Sequence, residues 1–221
     1  MKFAPEGTRV TMVAAVASIV ASTLVGEVAG LVGLVLTAGV LLFFRDPERT
    51  PPGDPSAVVS PADGRVVFAE SGAKPHRFSP GSTTKVAIFM SPLDVHVNRS
   101  PLDASLEKVD HRPGQFAGAY RADAGDINES VSLLLRTKAG AEVVVVQIAG
   151  WLARRIVCRV APPRFLSRGE RFGLIMFGSR VDVHLPPGAR LAVKVGETVK
   201  AGETTLAWLE GDGALHETKA A

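Results

Sequence analysis

Residues 173–185 have the sequence GLIMFGSRVDVHL, an apolar and β-branched run with Gly178 and Ser179 at its middle. Runs of this kind, bounded by Gly, Pro and Asp, are typical of β-strands. Similar runs occupy 57–60, 64–70, 84–90, 130–137, 141–150, 154–161 and 189–195. Helical periodicity is weak beyond residue 56, with at most a short helix or turn at 161–170. We therefore predict a mostly β (α+β) fold, with a compact β-sheet or barrel-sandwich-like catalytic domain over residues 57–221.

The C-terminal stretch 185–211 has turn sequences of its own. Its VGETV and AGETT turns, each flanked by short strand-like runs, are similar to the hammerhead of lipoyl- and biotinyl-type barrel-sandwich domains. The lysine-bearing hairpin of those carriers is missing, so the pattern indicates a shared β-architecture without carrier function.

The N-terminal part of the chain is strongly apolar. Residues 10–44 contain one charged side chain, Glu27, and the stretch is longer than the roughly 20 apolar residues that one membrane-spanning helix needs. Gly26, Gly30 and Gly33 near its middle favour a turn, and cationic residues flank both ends. We expect residues 1–44 to form a membrane-anchoring helical hairpin with both ends in the cytoplasm, followed by a proline-rich linker at 45–56.

Other interpretations of this stretch stay open. A single tilted or re-entrant anchor and a buried core hairpin fit the same composition. A secretory signal peptide fits less well, because its apolar core would be only about 7–15 residues long.

Charge and cysteine content exclude several classes of protein. The formal net charge of +3 comes without a run of Lys and Arg, which argues against a nucleic-acid partner and fits weak attraction to anionic membrane lipids. The single cysteine, Cys158, excludes an internal disulfide and lies in an apolar alternation typical of a packed strand residue. The histidines other than His96 show no spacing typical of metal ligands, so we expect no metal.

Three segments are punctuated so that each exposes one reactive side chain. They are SPADGRV with Asp63, MSPLDVHVNRSP with His96, and FGSR with the Gly178–Ser179 bond. A bend at a glycine would let the Ser179 hydroxyl attack the preceding carbonyl, and a serine hydroxyl needs a base and the base an orienting group. His96 and Asp63 are the right types for these roles, although Gly-Ser alone is more often an ordinary strand end.

SPADGRV, MSPLDVHVNRSP, QIAGWLARRIVC and FGSRVDVHLP together resemble the short prokaryotic form of phosphatidylserine decarboxylase. The resemblance covers most of the chain after residue 40. It implies self-cleavage between Gly178 and Ser179 into a β chain, residues 1–178, and an α chain, residues 179–221. It also implies a pyruvoyl cofactor made from Ser179.

The resemblance further implies the reaction and its setting. Phosphatidylserine would be converted to phosphatidylethanolamine and carbon dioxide by Schiff-base chemistry, in phospholipid biosynthesis at the cytoplasmic side of the inner membrane. Asp63 would orient His96, which would accept the Ser179 proton and later protonate the product. The two chains would stay together as a heterodimer, with a higher oligomer left open.

Two departures from the family pattern concern the site. Long-form relatives often carry two histidines three residues apart in the second motif, where this chain has His96 and Arg99, and LGST where this chain has FGSR. We expect His96 to serve both self-cleavage and decarboxylation. Weaker candidates for substrate binding are His111, Arg154 and Arg155, the arginines through the lipid phosphate.

Two other functions fit parts of the sequence. A non-catalytic membrane-tethered module would account for the C-terminal turns but not for SPADG or DVHVNR. A serine hydrolase using Ser179 would be expected to carry a nucleophile-elbow motif such as GxSxG, which is missing around this serine.

Overall fold

The computed structural model describes residues 2–82, 84–119, 121, 124–151, 155–176 and 179–209. The chain divides into two compact units, Met1–Glu48 and Arg49–Ala221. The division falls inside the proline-rich stretch that the sequence suggests as a linker.

The first unit is a helical hairpin, as predicted. Helix α1 spans Glu6–Leu24 and helix α2 spans Glu27–Phe43. Gly26 lies between them with φ of 125°, a backbone conformation that side-chain-bearing residues rarely adopt. Short strands β1 (Lys2–Phe3) and β2 (Arg45–Asp46) pair at the open end of the hairpin.

Small residues bring the two helices together. A side chain at Gly33 would meet Ser18 Oγ at 2.7 Å, and Ser18 Oγ lies 3.1 Å from Thr37 Oγ1. Close helix contact through Gly and Ser is typical of helices packed in lipid. Helix α1 is long and apolar enough to cross a membrane, and 6% of its most apolar window is buried. Helix α2 is apolar but shorter.

The second unit is built almost entirely of strands. They are β3 (Ala57–Val59), β4 (Gly64–Ser71), β5 (Thr84–Met90), β6 (Val97–Arg99), β7 (Ala104–Arg112), β8 (Ser130–Arg136), β9 (Glu142–Ile148), β10 (Ile156–Cys158), β11 (Arg164–Leu166), β12 (Arg171–Ile175), β13 (Ser179–Leu185), β14 (Arg190–Leu191), β15 (Thr198–Val199) and β16 (Thr205–Trp208). One helical turn, α3 (Ala124–Ile127), interrupts them.

These strands form three sheets. The largest has the order β11-β7-β8-β9-β13-β5-β4-β15, and smaller sheets have the orders β10-β12-β6 and β14-β16-β3. The mostly β prediction is confirmed. Among the described residues the sheets are open, and no closed barrel forms.

The main core lies on one face of the large sheet. Val181, Val183 and Leu185 point into it from β13, whereas Asp182 and His184 alternate onto the opposite face. Because side chains of a strand alternate between faces, the Ser179 side chain lies on the same face as Val181 and Val183, which is the core face.

One detail of the strand prediction is wrong and another is right only in part. Residues 173–185 do not form one strand: β12 ends at Ile175 in the small sheet with β6 and β10, and β13 begins at Ser179 in the large sheet. Residues 161–170 contain a turn, as expected, closed by the Glu170 amide that donates to Ser167 O at 2.9 Å, but they also contribute strand β11, which pairs with β7. In both places the pairing partner, which is distant in sequence, decides the outcome.

The C-terminal turns pack against the SPADGRV segment. The Ser60 amide donates to Thr204 O at 2.8 Å, and the Gly202 amide donates to Ser60 O at 2.7 Å. Strand β15 joins the large sheet through β4, and β16 pairs with β3. The GETT turn therefore supports the SPADG segment.

Candidate active site

The segments that contain Asp63, His96 and Ser179 meet at one end of the large sheet. Strand β4 begins at Gly64, β5 ends at Met90, β9 ends at Ile148 and β13 begins at Ser179. These four strands are neighbours in the order β9-β13-β5-β4. Since neighbouring strands run antiparallel here, the end of one lies beside the start of the next.

Ser179 is fully buried at this end of the sheet. It pairs with Met90 across the sheet, and its hydroxyl donates to Met90 Sδ at 3.3 Å. A thioether is a weak acceptor, so this contact orients the hydroxyl without lowering its reactivity much. Asn98 Nδ2 lies 3.8 Å from the same sulfur.

A buried pair of amides lies next to this sulfur. Gln147 Nε2 donates to Asn98 Oδ1 at 2.8 Å, and both side chains are fully buried. Gln147 Oε1 has no hydrogen-bond partner among the described residues. Neither amide was singled out from the sequence. The available signal was a polar residue inside the apolar run VVVVQI.

His96 is almost fully buried, and its ring is held by a turn of the second motif. Its Nδ1 lies 2.9 Å from the carbonyl oxygen of Asp94, which can only accept, so Nδ1 carries the proton in this geometry. In the neutral form of the ring, the lone pair then lies on Nε2. The turn is closed by the Ser91 amide, which donates to Asp94 Oδ2 at 2.7 Å.

The backbone of His96 also contacts the strand that precedes Ser179. The Ile175 amide donates to His96 O at 3.4 Å, and Val97 pairs with Leu174. The second motif therefore connects the end of β5, where Met90 pairs with Ser179, to β6, which pairs with β12.

Asp63 is buried and ties three segments together. Its Oδ1 accepts the Ala201 amide at 2.7 Å and its Oδ2 accepts Arg49 Nη2 at 2.8 Å. Arg49 also donates to Glu203 Oε2 at 3.0 Å. Arg49 comes from the stretch predicted to be a linker, and no feature of that stretch marks it as part of the site.

The other predicted site residues are dispersed. Arg155 is exposed, and its carbonyl accepts the Met176 amide at 3.1 Å. His111 is exposed and bonds Glu129 through Nε2 at 2.9 Å. It lies on β7, three strands from β13, which corresponds to about 14 Å. Gly178 and Arg154 lie outside the described residues.

Cys158 and His184 lie in surroundings typical of packed side chains. Burial raises the pKa of the Cys158 thiol, and its Sγ contacts Val160 O at 3.4 Å. Burial lowers the pKa of His184 to about 4, on the sheet face opposite the core. Among the described residues, no group of three or more His, Cys, Asp and Glu side chains could hold a metal ion.

Comparison with known proteins gives a consistent result. The model of the phosphatidylserine decarboxylase family matches residues 36–207. The chain is 42% identical over 203 residues to the phosphatidylserine decarboxylase proenzyme of Desulfotalea psychrophila, covering 92% of this chain and 94% of that protein. It is 48% identical over 177 residues to the proenzymes of Mycobacterium bovis and Mycobacterium tuberculosis, covering 79% of this chain and 77% of theirs. The chain therefore belongs to the phosphatidylserine decarboxylase family and is an enzyme of this kind.

Proposed function

We propose that this chain is a self-processing, pyruvoyl-dependent enzyme that converts phosphatidylserine to phosphatidylethanolamine and carbon dioxide. Membership of the family supports the decarboxylation of phosphatidylserine. The observation that carries the finer proposal is the position of Ser179. It is fully buried at the first residue of β13, where the chain has just changed sheets, and the Asp63 and His96 motifs lie at the same end.

Self-cleavage uses the hydroxyl of Ser179 as nucleophile toward the carbonyl of residue 178. His96 accepts the hydroxyl proton at Nε2, because Nδ1 is already committed to Asp94 O. Met90 Sδ keeps the hydroxyl oriented at the end of the sheet. Asp63 supports the arrangement by joining the SPADG segment to Arg49 and Ala201.

The residues present fit a cofactor made at position 179. The side chain there is enclosed, and hydrogen-bonding groups of His96 and Asn98 lie on the segments next to it. A pyruvoyl group supplies an electrophilic ketone for the substrate amine and accepts the electron pair left by carbon dioxide. His96 then returns a proton to the product carbon, a step typically worth about 10²–10⁴-fold in rate.

The sheet topology explains why cleaved chains would remain associated. Strand β13 of the α chain pairs with β9 on one side and β5 on the other, both of which belong to the β chain. Strand β16 likewise pairs with β3. Cleavage between 178 and 179 breaks none of these ladders, so a β–α heterodimer is the expected mature form.

The helical hairpin fits a membrane anchor. Its outward side chains are strongly apolar, with Val13 70% and Leu24 80% exposed. We infer that residues 1–44 hold the enzyme at the cytoplasmic side of the inner membrane, where anionic lipids include its substrate.

The proposal is tested by replacing the nucleophile. Purified protein should run as a large and a small fragment on denaturing electrophoresis, and a Ser179→Ala variant should run as one band of 23.2 kDa. The variant should also release no carbon dioxide from phosphatidylserine. A Ser179→Ala protein that still cleaves and still releases carbon dioxide would eliminate the proposal.

A further inference from the structure

Two apolar side chains stand out on the surface of the second unit. Its described large apolar residues that are exposed are Leu93 at 84%, Trp151 at 69%, Val195 at 60% and Phe165 at 48%. The two most exposed, Leu93 and Trp151, both follow strands that end beside Ser179. Large exposed apolar side chains clustered at one place mark an interaction surface more often than chance exposure does.

The two residues lie on either side of the strand that begins with Ser179. Leu93 comes three residues after Met90, the last residue of β5, and Trp151 comes three residues after Ile148, the last residue of β9. Strand β13 lies between β5 and β9. Because neighbouring strands are about 4.8 Å apart, the ends from which the two residues extend are about 10 Å apart.

Backbone hydrogen bonds lie beside both residues. The Asp94 amide donates to Ser91 O at 3.0 Å, closing the turn that carries Leu93. Ahead of Trp151, the Ala149 amide donates to Glu129 O at 2.9 Å and its carbonyl accepts Asn128 Nδ2 at 2.7 Å. Tight turns favour small polar residues, so local structure gives no reason for a leucine at this turn.

A cation lies in the same region. Arg155 is exposed, has no ion pair within the described part of the chain, and is held next to β12 through its carbonyl bond to Met176. Tryptophan prefers the interface between water and hydrocarbon, and a neighbouring arginine is attracted to anionic head groups. This combination fits the surface of an anionic bilayer.

We propose that Leu93 and Trp151 form a lipid-contacting rim that enters the head-group region of the bilayer at the mouth of the active site. The inference rests on the proposed function. If the reaction takes place at Ser179, which is fully buried, a membrane lipid has to move its head group inward to reach it. The rim lets the serine head group leave the bilayer surface while the acyl chains stay in contact with apolar side chains. It acts in addition to the hairpin anchor.

The first test measures insertion directly. Full-length protein carrying Trp208→Phe has Trp151 as its remaining tryptophan and is mixed with phosphatidylserine–phosphatidylcholine vesicles whose acyl chains are brominated near the glycerol. We expect a blue shift and strong quenching of Trp151 fluorescence. Emission that stays at the wavelength of a water-exposed tryptophan, without quenching, would overturn the proposal whatever the enzyme's activity.

The second test separates access from chemistry. Leu93→Ser and Trp151→Ser, with the hairpin intact, should each raise KM for vesicle phosphatidylserine about tenfold. Trp151→Ser should leave self-cleavage and kcat/KM for a short-chain, monomeric phosphatidylserine near wild type. Phe165→Ser is the matched control, because Phe165 pairs with Ser105 at the opposite end of the sheet.

The outcomes distinguish the rim from the proposed function. If wild type releases no carbon dioxide from either substrate, the proposed function fails, and the quenching result still decides whether the rim enters lipid. If wild type is active and both rim variants match Phe165→Ser on vesicles, the rim is wrong and the decarboxylase stands. Equal losses on vesicle and monomeric substrate would also contradict it, since they indicate damage to the site.

Discussion

Asp63 and His96 both make hydrogen bonds that restrict the role each side chain can have in the reaction. Asp63 accepts the Arg49 guanidinium and the Ala201 amide, and the side chains of Asp63 and Arg49 are 13% and 11% exposed. His96 takes its tautomer from a backbone carbonyl. Asp63 therefore has a clear structural role, and a direct effect on His96 has to be measured separately.

The matched variants Asp63→Asn and Arg49→Met make that separation. Each removes the same nearly buried ion pair, and removing one partner of such a pair should cost about 3 kcal/mol of unfolding free energy. Urea unfolding measures this cost, and gel densitometry over time measures self-cleavage. If Asp63 also orients His96, Asp63→Asn should cleave more slowly than Arg49→Met at equal stability. Equal cleavage rates would restrict Asp63 to a structural role.

The buried amides Asn98 and Gln147 should act as a unit. Asn98→Leu or Gln147→Leu leaves the other amide unsatisfied, at a cost of about 1–3 kcal/mol each. The double variant should be clearly more stable than the sum of the single losses predicts, because neither unpaired group then remains. Additive losses in a double-mutant cycle of urea unfolding would show that the 2.8 Å contact contributes nothing specific.

At the scale of elements, two features can be tested separately: the turn before His96, which positions its ring, and the packing of the two helices of the hairpin. The Ser91–Asp94 turn presents the carbonyl that fixes the His96 ring. The hairpin depends on close approach of its helices at Gly33.

Asp94→Ala should slow self-cleavage without unfolding the protein. The variant loses the Asp94 carboxylate that accepts the Ser91 amide, which loosens the carbonyl that holds His96 Nδ1. Asp54→Ala is a suitable control, because Asp54 closes a similar turn with Ser56, elsewhere in the chain. Time courses of cleavage should separate the two variants, and an Asp94→Ala rate equal to that of Asp54→Ala would show that the turn does not position His96.

A cross-linking pair can test helix packing. Ser18→Cys with Thr37→Cys, in a Cys158→Ser background, should form a disulfide readily because the two hydroxyls are 3.1 Å apart. Gly33→Leu should cut the yield several-fold, since a side chain there meets Ser18 below 3 Å. Gly39→Leu should leave the yield unchanged, because nothing lies within 4 Å of its added carbon. Equal yields in the two variants would contradict the packing.

Sequence patterns predicted most of these elements but not their pairing. The hairpin and the strands follow from local composition, and the punctuated motifs, together with the resemblance to a known family, pointed to Asp63, His96 and Ser179. The break at Ser179 was missed because apolar residues continue on both sides of it, and sheet membership depends on β6 and β9. The Arg49–Asp63 pair and the Asn98–Gln147 pair join distant segments, so no local signal marks them.

At the scale of the whole molecule, the sheet has two faces of different chemistry. One carries the core and Ser179. The other lines a cavity of about 430 Å³ with His76, His184, Lys85 and Asp182. Burial, aided by nearby cations, lowers the pKa of His76 to about 4, and burial lowers that of His184 to about 4.

These histidines should make stability depend on acid pH. Their folded pKa values lie below the ordinary 6.5, so between about pH 6.5 and 4 the unfolded chain binds more protons than the folded one. Stability is then full above pH 6.5 and falls as the pH drops toward 4, by about 2–3 kcal/mol for the more deeply buried His184. Urea midpoints should show this slope, and His184→Gln should flatten it. An unchanged slope in that variant would assign the dependence to other groups.

The intact mass of the small fragment tests the proposed chemistry most directly. Cleavage at residue 178 followed by conversion of Ser179 predicts a peptide of residues 179–221 that is lighter by one ammonia than the unmodified sequence and resists N-terminal sequencing. A fragment with an ordinary serine at its N-terminus, or an active enzyme in which residues 178 and 179 remain joined, would contradict it.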